Sequence, residues 1–161
     1  MEKKVVYPGT FDPLTYGHMN IIERGLKIFD RVVVAVARNT AKRTTFDVEE
    51  RVSMIREIFR DRDRVEVDSF EGLLVDYMRR KKICVILRGL RTISDFEYEF
   101  QMALANKQLD QNVETFFMVT EGAFSYLSST LIKEIVMLGG SVSGMVPELV
   151  ERKLKEKLLR R

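Results

Sequence analysis

The chain has one histidine, His18, and it closes a run whose composition suits ligand chemistry: Pro8, Gly9, Thr10, Phe11, Asp12, Pro13, Leu14, Thr15, Tyr16, Gly17. Two prolines and two glycines hold this stretch out of regular structure, so its backbone can approach a ligand closely. A helix is expected to begin at His18, where unpaired N–H groups and the positive end of the helix dipole favour phosphate. A lone histidine is more often structural than catalytic. Its place beside Gly17, at a helix start in a phosphate-type loop, reverses that preference. The run is neither G-x-G-x-x-G nor G-x-x-x-x-G-K-[ST], which argues against a Rossmann dehydrogenase or a P-loop NTPase.

Three further loops carry unusual chemistry. Residues 38–46 hold Arg38, Lys42 and Arg43 among small polar residues. They read either as a solvated basic loop or as a lysine reaching an anion, and the loop alone leaves both open. Arg88 and Arg91, three apart around Gly89 and Leu90, suit phosphate because the guanidinium fork matches its oxygens. Phe124, Ser125, Tyr126, Leu127, Ser128, Ser129 and Thr130 precede an apolar-periodic segment. A helix N-cap explains one of these hydroxyls. The others, with free N–H groups, would form a second phosphate cradle.

The elements that must position these loops alternate from start to finish. Strand patterns run over 3–7, 31–37, 64–69, 83–87 and 114–119, and helical patterns over 18–29, 47–59, 72–81, 93–109, 128–138 and 147–160. Asp47 with Glu50 three residues on resembles a capping box. The spacing predicts an α/β fold, one domain over 1–161, built on a doubly wound, parallel five-stranded sheet with right-handed crossovers. In such sheets ligands bind outside the carboxyl ends of the strands, where the loops after strands one, two, four and five lie. The helix over 93–109 carries Phe96, Phe100 and Met102 on its apolar face, which leaves core packing and a subunit contact both open.

The bulk properties exclude several classes. With 161 residues, 45% hydrophobic and 32% charged, the chain is ordinary soluble protein rather than disorder. No apolar run approaches the roughly 18 residues of a membrane span, and no export signal is visible, so a cytoplasmic protein without membrane contact is expected. The net charge of +3 gathers in residues 151–161, where acids are interleaved. A nucleic-acid partner is therefore not expected. The single cysteine, Cys84, excludes an internal disulfide and is expected to be a small buried hydrophobe.

Together these residues resemble the phosphopantetheine adenylyltransferases, within the nucleotidyltransferase superfamily marked by [HT]-x-G-H. The motif stands here as Thr15, Tyr16, Gly17, His18, after the Y-P-G-T-F-D-P run of residues 7–13. The hydroxyl-rich signature spans 127–133, and R-G-L-R at 88–91 with D-F-E-Y-E at 95–99 is especially like this family. Those last segments, with residues 70–77, separate it from relatives acting on nicotinamide mononucleotide or glycerol 3-phosphate. Thr15 stands where some relatives have histidine, and Thr130 where the family often has serine.

The resemblance implies a Rossmann-like nucleotidyltransferase fold and transfer of the adenylyl group of ATP to 4′-phosphopantetheine, giving dephospho-coenzyme A and pyrophosphate. The alternative is the same chemistry on another phosphorylated acceptor, such as nicotinamide mononucleotide. The resemblance further implies Thr10 and His18 at the reacting phosphate and the Phe11 backbone N–H on the nucleotide. Thr10, Lys42, Leu74 and Arg88 would hold the acceptor. Gly89, Leu90, Arg91, Glu99 and the stretch Phe124 to Thr130 would hold ATP. It also implies Mg²⁺ with ATP, a homohexamer, and feedback by coenzyme A. On this basis His18, Thr10 and Lys42 are the expected catalytic residues, with no residue expected to ligate a metal directly. His18 is expected to be neutral because of the helix N-terminus, and to donate to the α-phosphate.

Overall fold

The computed structural model describes residues 1–159. Five strands form one all-parallel sheet: β1 Lys4–Gly9, β2 Arg31–Arg38, β3 Val65–Glu71, β4 Val85–Leu90 and β5 Glu114–Val119. The helices are α1 Tyr16–Gly25, α2 Val48–Ile58, α3 Leu74–Lys81, α4 Ile93–Leu109, α5 Ser129–Met137 and α6 Glu148–Leu158. The sheet order is β3-β2-β1-β4-β5. The chain winds outward from β1 to one edge and then crosses back to β4, so the topological switch lies between β1 and β4, the expected place for a ligand crevice.

Strand alternation sends the two faces of the sheet to two cores. Val5 and Tyr7 of β1 join Val32, Val34 and Val36 of β2 beneath α1 and α2. Val6, Val33 and Ala35 face the other way, onto Val75 and Met78 of α3. Burial on both faces is why these strands read as unbroken apolar runs. A third cluster, Phe46, Leu127, Ile132, Val136, Val150 and Leu154, fastens α5 and α6 against the segment entering α2.

Several elements differ from the sequence expectation. α1 begins at Tyr16, because Thr15 caps it in a capping box with His18 as the third helical residue. β4 starts at Val85 and leaves Cys84 exposed. The buried expectation for that residue fails because neighbouring side chains alternate at the strand entrance: Ile83 turns inward and Cys84 outward. A short 3-10 turn over Gly122–Phe124 was not anticipated. Pro147 is the N-cap residue of α6, which closes at Leu158 with Leu159 as its C-cap; the end expected at Arg160 lies outside the described residues. α4 does not bury its apolar face in the core: Phe96, Phe100 and Met102 are 45%, 48% and 41% exposed. Among the described residues no helix is long and apolar enough to cross a membrane.

Candidate active site

Two cavities meet over the carboxyl ends of β1 and β4. The first, about 320 Å³, is lined by polar groups from all four loops, including Thr10, His18, Lys42, Arg88, Arg91 and Ser128. The second, about 220 Å³, is walled by Ala37, Phe70, Leu74, Ile86, Met102 and Ala103, with Asn106 and Thr115 as polar points. Both are bounded by Pro8, Gly9, Thr10, Arg88 and Glu99. A molecule bound in each would therefore meet its neighbour at Thr10.

The β1 loop is held in an unusual form. Phe11 has φ of 50°, a left-handed conformation costly for an aromatic residue. Its ring is buried and packs edge-on against Tyr7 and His18, at 5.3 and 5.0 Å between centroids. A Cβ on Gly9 would sit 3.0 Å from that ring, so glycine here lets Phe11 fold back without displacing its ring. The carboxylate of Asp12 is buried and accepts from the backbone N–H groups of Thr45 and Phe46 and from Lys133 Nζ.

The imidazole of His18 has a defined tautomer. The Thr15 N–H donates to Nδ1 at 3.0 Å, and Thr15 Oγ1 in turn accepts from the His18 N–H at 3.4 Å. An Nδ1 that accepts leaves the proton on Nε2, so Nε2–H is the donor available to a ligand. Burial, then the Arg88 and Arg91 guanidiniums, pull the His18 pKa down to about 3. The ring is therefore neutral, and desolvation with the two nearby arginines disfavours its protonation.

The two arginines are not free clamps. Arg88 Nε donates to Glu99 Oε2 at 2.8 Å, Nη2 to Oε1 of the same carboxylate, and Nη1 to the Pro8 carbonyl at 2.6 Å. Arg91 donates from Nε to Asp95 at 3.2 Å and from Nη1 to the Leu127 carbonyl. Each guanidinium is thereby fixed in orientation, with N–H groups left over from its five. Glu99, expected on ATP, lies in the wall of both cavities as the partner of Arg88.

The remaining candidates divide. Gly89, Phe11, Phe124, Leu127, Ser128, Ser129 and Thr130 line the first cavity, and Leu74 lines only the second. Leu90, Ser125 and Tyr126 line neither. The Leu90 carbonyl accepts from Thr120 N–H, Ser125 Oγ donates to the Gly122 carbonyl, and the Tyr126 side chain is exposed. Ser128 caps α5 through Leu131 N–H, and Ser129 Oγ donates to the Pro13 carbonyl at 2.8 Å. Ser125, Ser128 and Ser129 thus have structural partners, and Thr130 stands exposed on the cavity.

Sequence reasoning missed Asp95, which steers Arg91, and the buried pair Asp12 and Arg51. A signal for Arg51 existed: it shares the buried face of α2 with Val48, Val52 and Ile55, where a cation is out of place.

Comparisons with known proteins give the family. The family described as cytidylyltransferase-like matches residues 6–135. A phosphopantetheine adenylyltransferase of Geobacter metallireducens is 56% identical over 158 residues, 98% of this chain and 97% of its own length. Its namesake in Syntrophus aciditrophicus is 55% identical over 157 residues, 98% and 95% of the two chains. That of Geobacter sulfurreducens is 54% identical over 155 residues, 96% and 94%. The chain belongs to the phosphopantetheine adenylyltransferases, within the cytidylyltransferase-like family.

Proposed function

We propose that this chain, acting as one nucleotidyltransferase domain, moves the adenylyl group of ATP onto the phosphate of 4′-phosphopantetheine and releases pyrophosphate, a late step of coenzyme A synthesis in the cytoplasm. The observation that carries this reading is the pair of cavities joined at Thr10. One is polar enough for a nucleotide triphosphate, and the other is apolar enough for a pantetheine arm.

The attacking phosphate oxygen is already ionised at neutral pH, so the reaction needs no general base. Its difficulty is bringing two anions together and dispersing charge as pyrophosphate leaves, which positioning and fixed donors accomplish. Thr10, at the junction, orients the acceptor phosphate, and Arg88, held by Glu99 and Pro8, fixes it from the β4 side. His18 Nε2–H donates to the α-phosphate as negative charge grows there. Lys42 offsets the charge between the reactants. Arg91, Thr130 and the first turn of α5 steady the β- and γ-phosphates. The in-line displacement forms the new P–O bond as the bond to pyrophosphate breaks, with no covalent intermediate.

Mg²⁺ would be brought by ATP rather than held by a protein cage, and when bound would supply charge neutralisation beside Lys42 and Arg91. The carboxylates facing the cavity, Asp95 and Glu99, are already engaged by arginines. Among the described residues no cluster of three or more ligating side chains forms a protein cage. Subunits assemble as a homohexamer through exposed apolar surface such as that of α4, and coenzyme A acts as a feedback inhibitor in the joined cavities.

The test is incubation with ATP, Mg²⁺ and 4′-phosphopantetheine, following pyrophosphate and dephospho-coenzyme A together, with nicotinamide mononucleotide as a competing acceptor. Both products forming only with phosphopantetheine is the expected result. Pyrophosphate only with the competitor overturns the acceptor, and ATP binding without either product overturns the transfer.

A further inference from the structure

Two buried charges near the cavities take no part in the chemistry above: Asp12, 4% exposed, and Arg51, 2% exposed. Arg51 follows the first turn of α2, close to the positive end of the helix dipole, where a cation is disfavoured. Its removal from water adds a desolvation cost. Since its neighbours on that face are valines and isoleucine, an aliphatic side chain would serve the core alone. The guanidinium instead binds four carbonyls. Nε donates to Phe46 and Asp47 at 3.1 and 3.3 Å, and Nη1 to Thr10 and Ala37 at 2.7 and 3.1 Å.

Ala37 and Phe46 flank residues 38–45, the loop that carries Lys42. Asp12 grips the same loop with the opposite polarity. Its carboxylate accepts from Thr45 N–H at 2.8 Å, Phe46 N–H at 2.9 Å, and Lys133 Nζ of α5 at 3.0 Å. One charge therefore takes carbonyls at both ends of the loop, and the other takes amides at its returning end. Both are anchored at the β1 loop, one through the Thr10 carbonyl and the other as a residue of that loop.

The geometry points to Arg51 and Asp12 as a pair of positioning residues that pin both ends of the Lys42 loop to the Thr10 loop, fixing where Lys42 meets the reacting phosphates. This rests on the transfer reading above. Neither residue is required to touch substrate; both act through Lys42 and Thr10. The fork is essential, because the single nitrogen of a lysine cannot serve the α2 entrance and the two strand ends together.

The experiment compares Arg51→Lys, Lys42→Ala and the double variant in steady-state kinetics, with amide hydrogen exchange across residues 38–46. Arg51→Lys is expected to lower kcat about 10²-fold, the scale of a misplaced catalytic group. KM for ATP should stay within about twofold, and exchange over 38–46 should accelerate. In the Lys42→Ala background the same change should cost clearly less than in the wild type, the mark of coupled residues, with the remainder acting through Thr10. Asp12→Asn, which keeps the side-chain volume, carries the same expectations if Arg51→Lys does not fold. A normal kcat, or an equal loss with and without the Lys42 side chain, overturns the proposal. The exchange measurement needs no turnover. Accelerated exchange in a variant of a chain that makes no dephospho-coenzyme A supports the clamp and overturns the transfer reading; unchanged exchange with an active chain does the reverse.

Discussion

At the residue scale, the local geometry of His18 determines what that side chain can do. The Thr15 N–H occupies Nδ1, so the ring offers one donor, Nε2–H, and holds it across the working pH range. Removing such a donor typically costs about 10²- to 10³-fold in kcat. His18→Ala should therefore lose about that much turnover while ATP binding, followed by calorimetry, stays near normal. The pKa adds a second expectation. His18 remains neutral in the folded chain down to about 3, whereas in the unfolded chain it protonates near 6.5. Between those values the unfolded chain binds more protons, so this group's contribution to stability falls as pH falls. Thermal melts of the wild type and His18→Asn from pH 7 to pH 4 should show the wild type losing stability relative to the variant on acidification. No step in kcat between pH 5 and 8 should belong to His18.

At the element scale, helix caps set both stability and aim. α2 opens with a reciprocal capping box, Asp47 Oδ1 accepting from Glu50 N–H at 2.8 Å and Glu50 Oε2 from Asp47 N–H at 2.9 Å. Asp47→Ala should cost about 1 kcal/mol, measured by urea denaturation. The same cap places Arg51 at the end of the first turn, aimed at the loop ends. In α1 the cap takes a side chain that also faces the cavity, so the group that terminates the helix is the group offered to a ligand. The two capping boxes differ in legibility for that reason. Asp47 and Glu50 follow the familiar carboxylate pattern, whereas Thr15 with His18 does not, and the helix start expected at His18 fell two residues late.

At the scale of the whole molecule, α4 packs one side inward, Glu99 on Arg88 of β4 and Phe96 edge-on against Phe117 of β5, and leaves much of its apolar side chain surface to solvent. Ile93, Phe96, Tyr98, Phe100, Leu104 and Leu109 are all exposed, and Phe96, Phe100 and Leu104, spaced by four, share one face of the helix. On the hexamer reading, Leu104→Asp should replace the assembled species by smaller ones in sedimentation velocity, with the far-ultraviolet spectrum unchanged.

The order of strands and helices, and the loops that bear the chemistry, were legible from the chain because hydrophobic periodicity and turn residues are local properties. Val32 to Val36 read as a strand buried on both faces wherever they end up in space. What local pattern cannot contain is which groups satisfy one another across the sheet. Arg88 and Arg91 looked like free phosphate clamps until the fold brought Glu99 and Asp95 against them. Ser128 and Ser129 looked like ligand groups until Leu131 N–H and the Pro13 carbonyl were placed beside them. Cys84 looked buried until strand alternation turned it outward. Arg51 drew no reading from the chain at all, and only the fold brings the Thr10, Ala37 and Phe46 carbonyls onto it. Sequence by itself determined the elements and the chemistry available. Tertiary structure decided the partners, because buried donors and acceptors must be paired and the pairing follows proximity in space rather than along the chain.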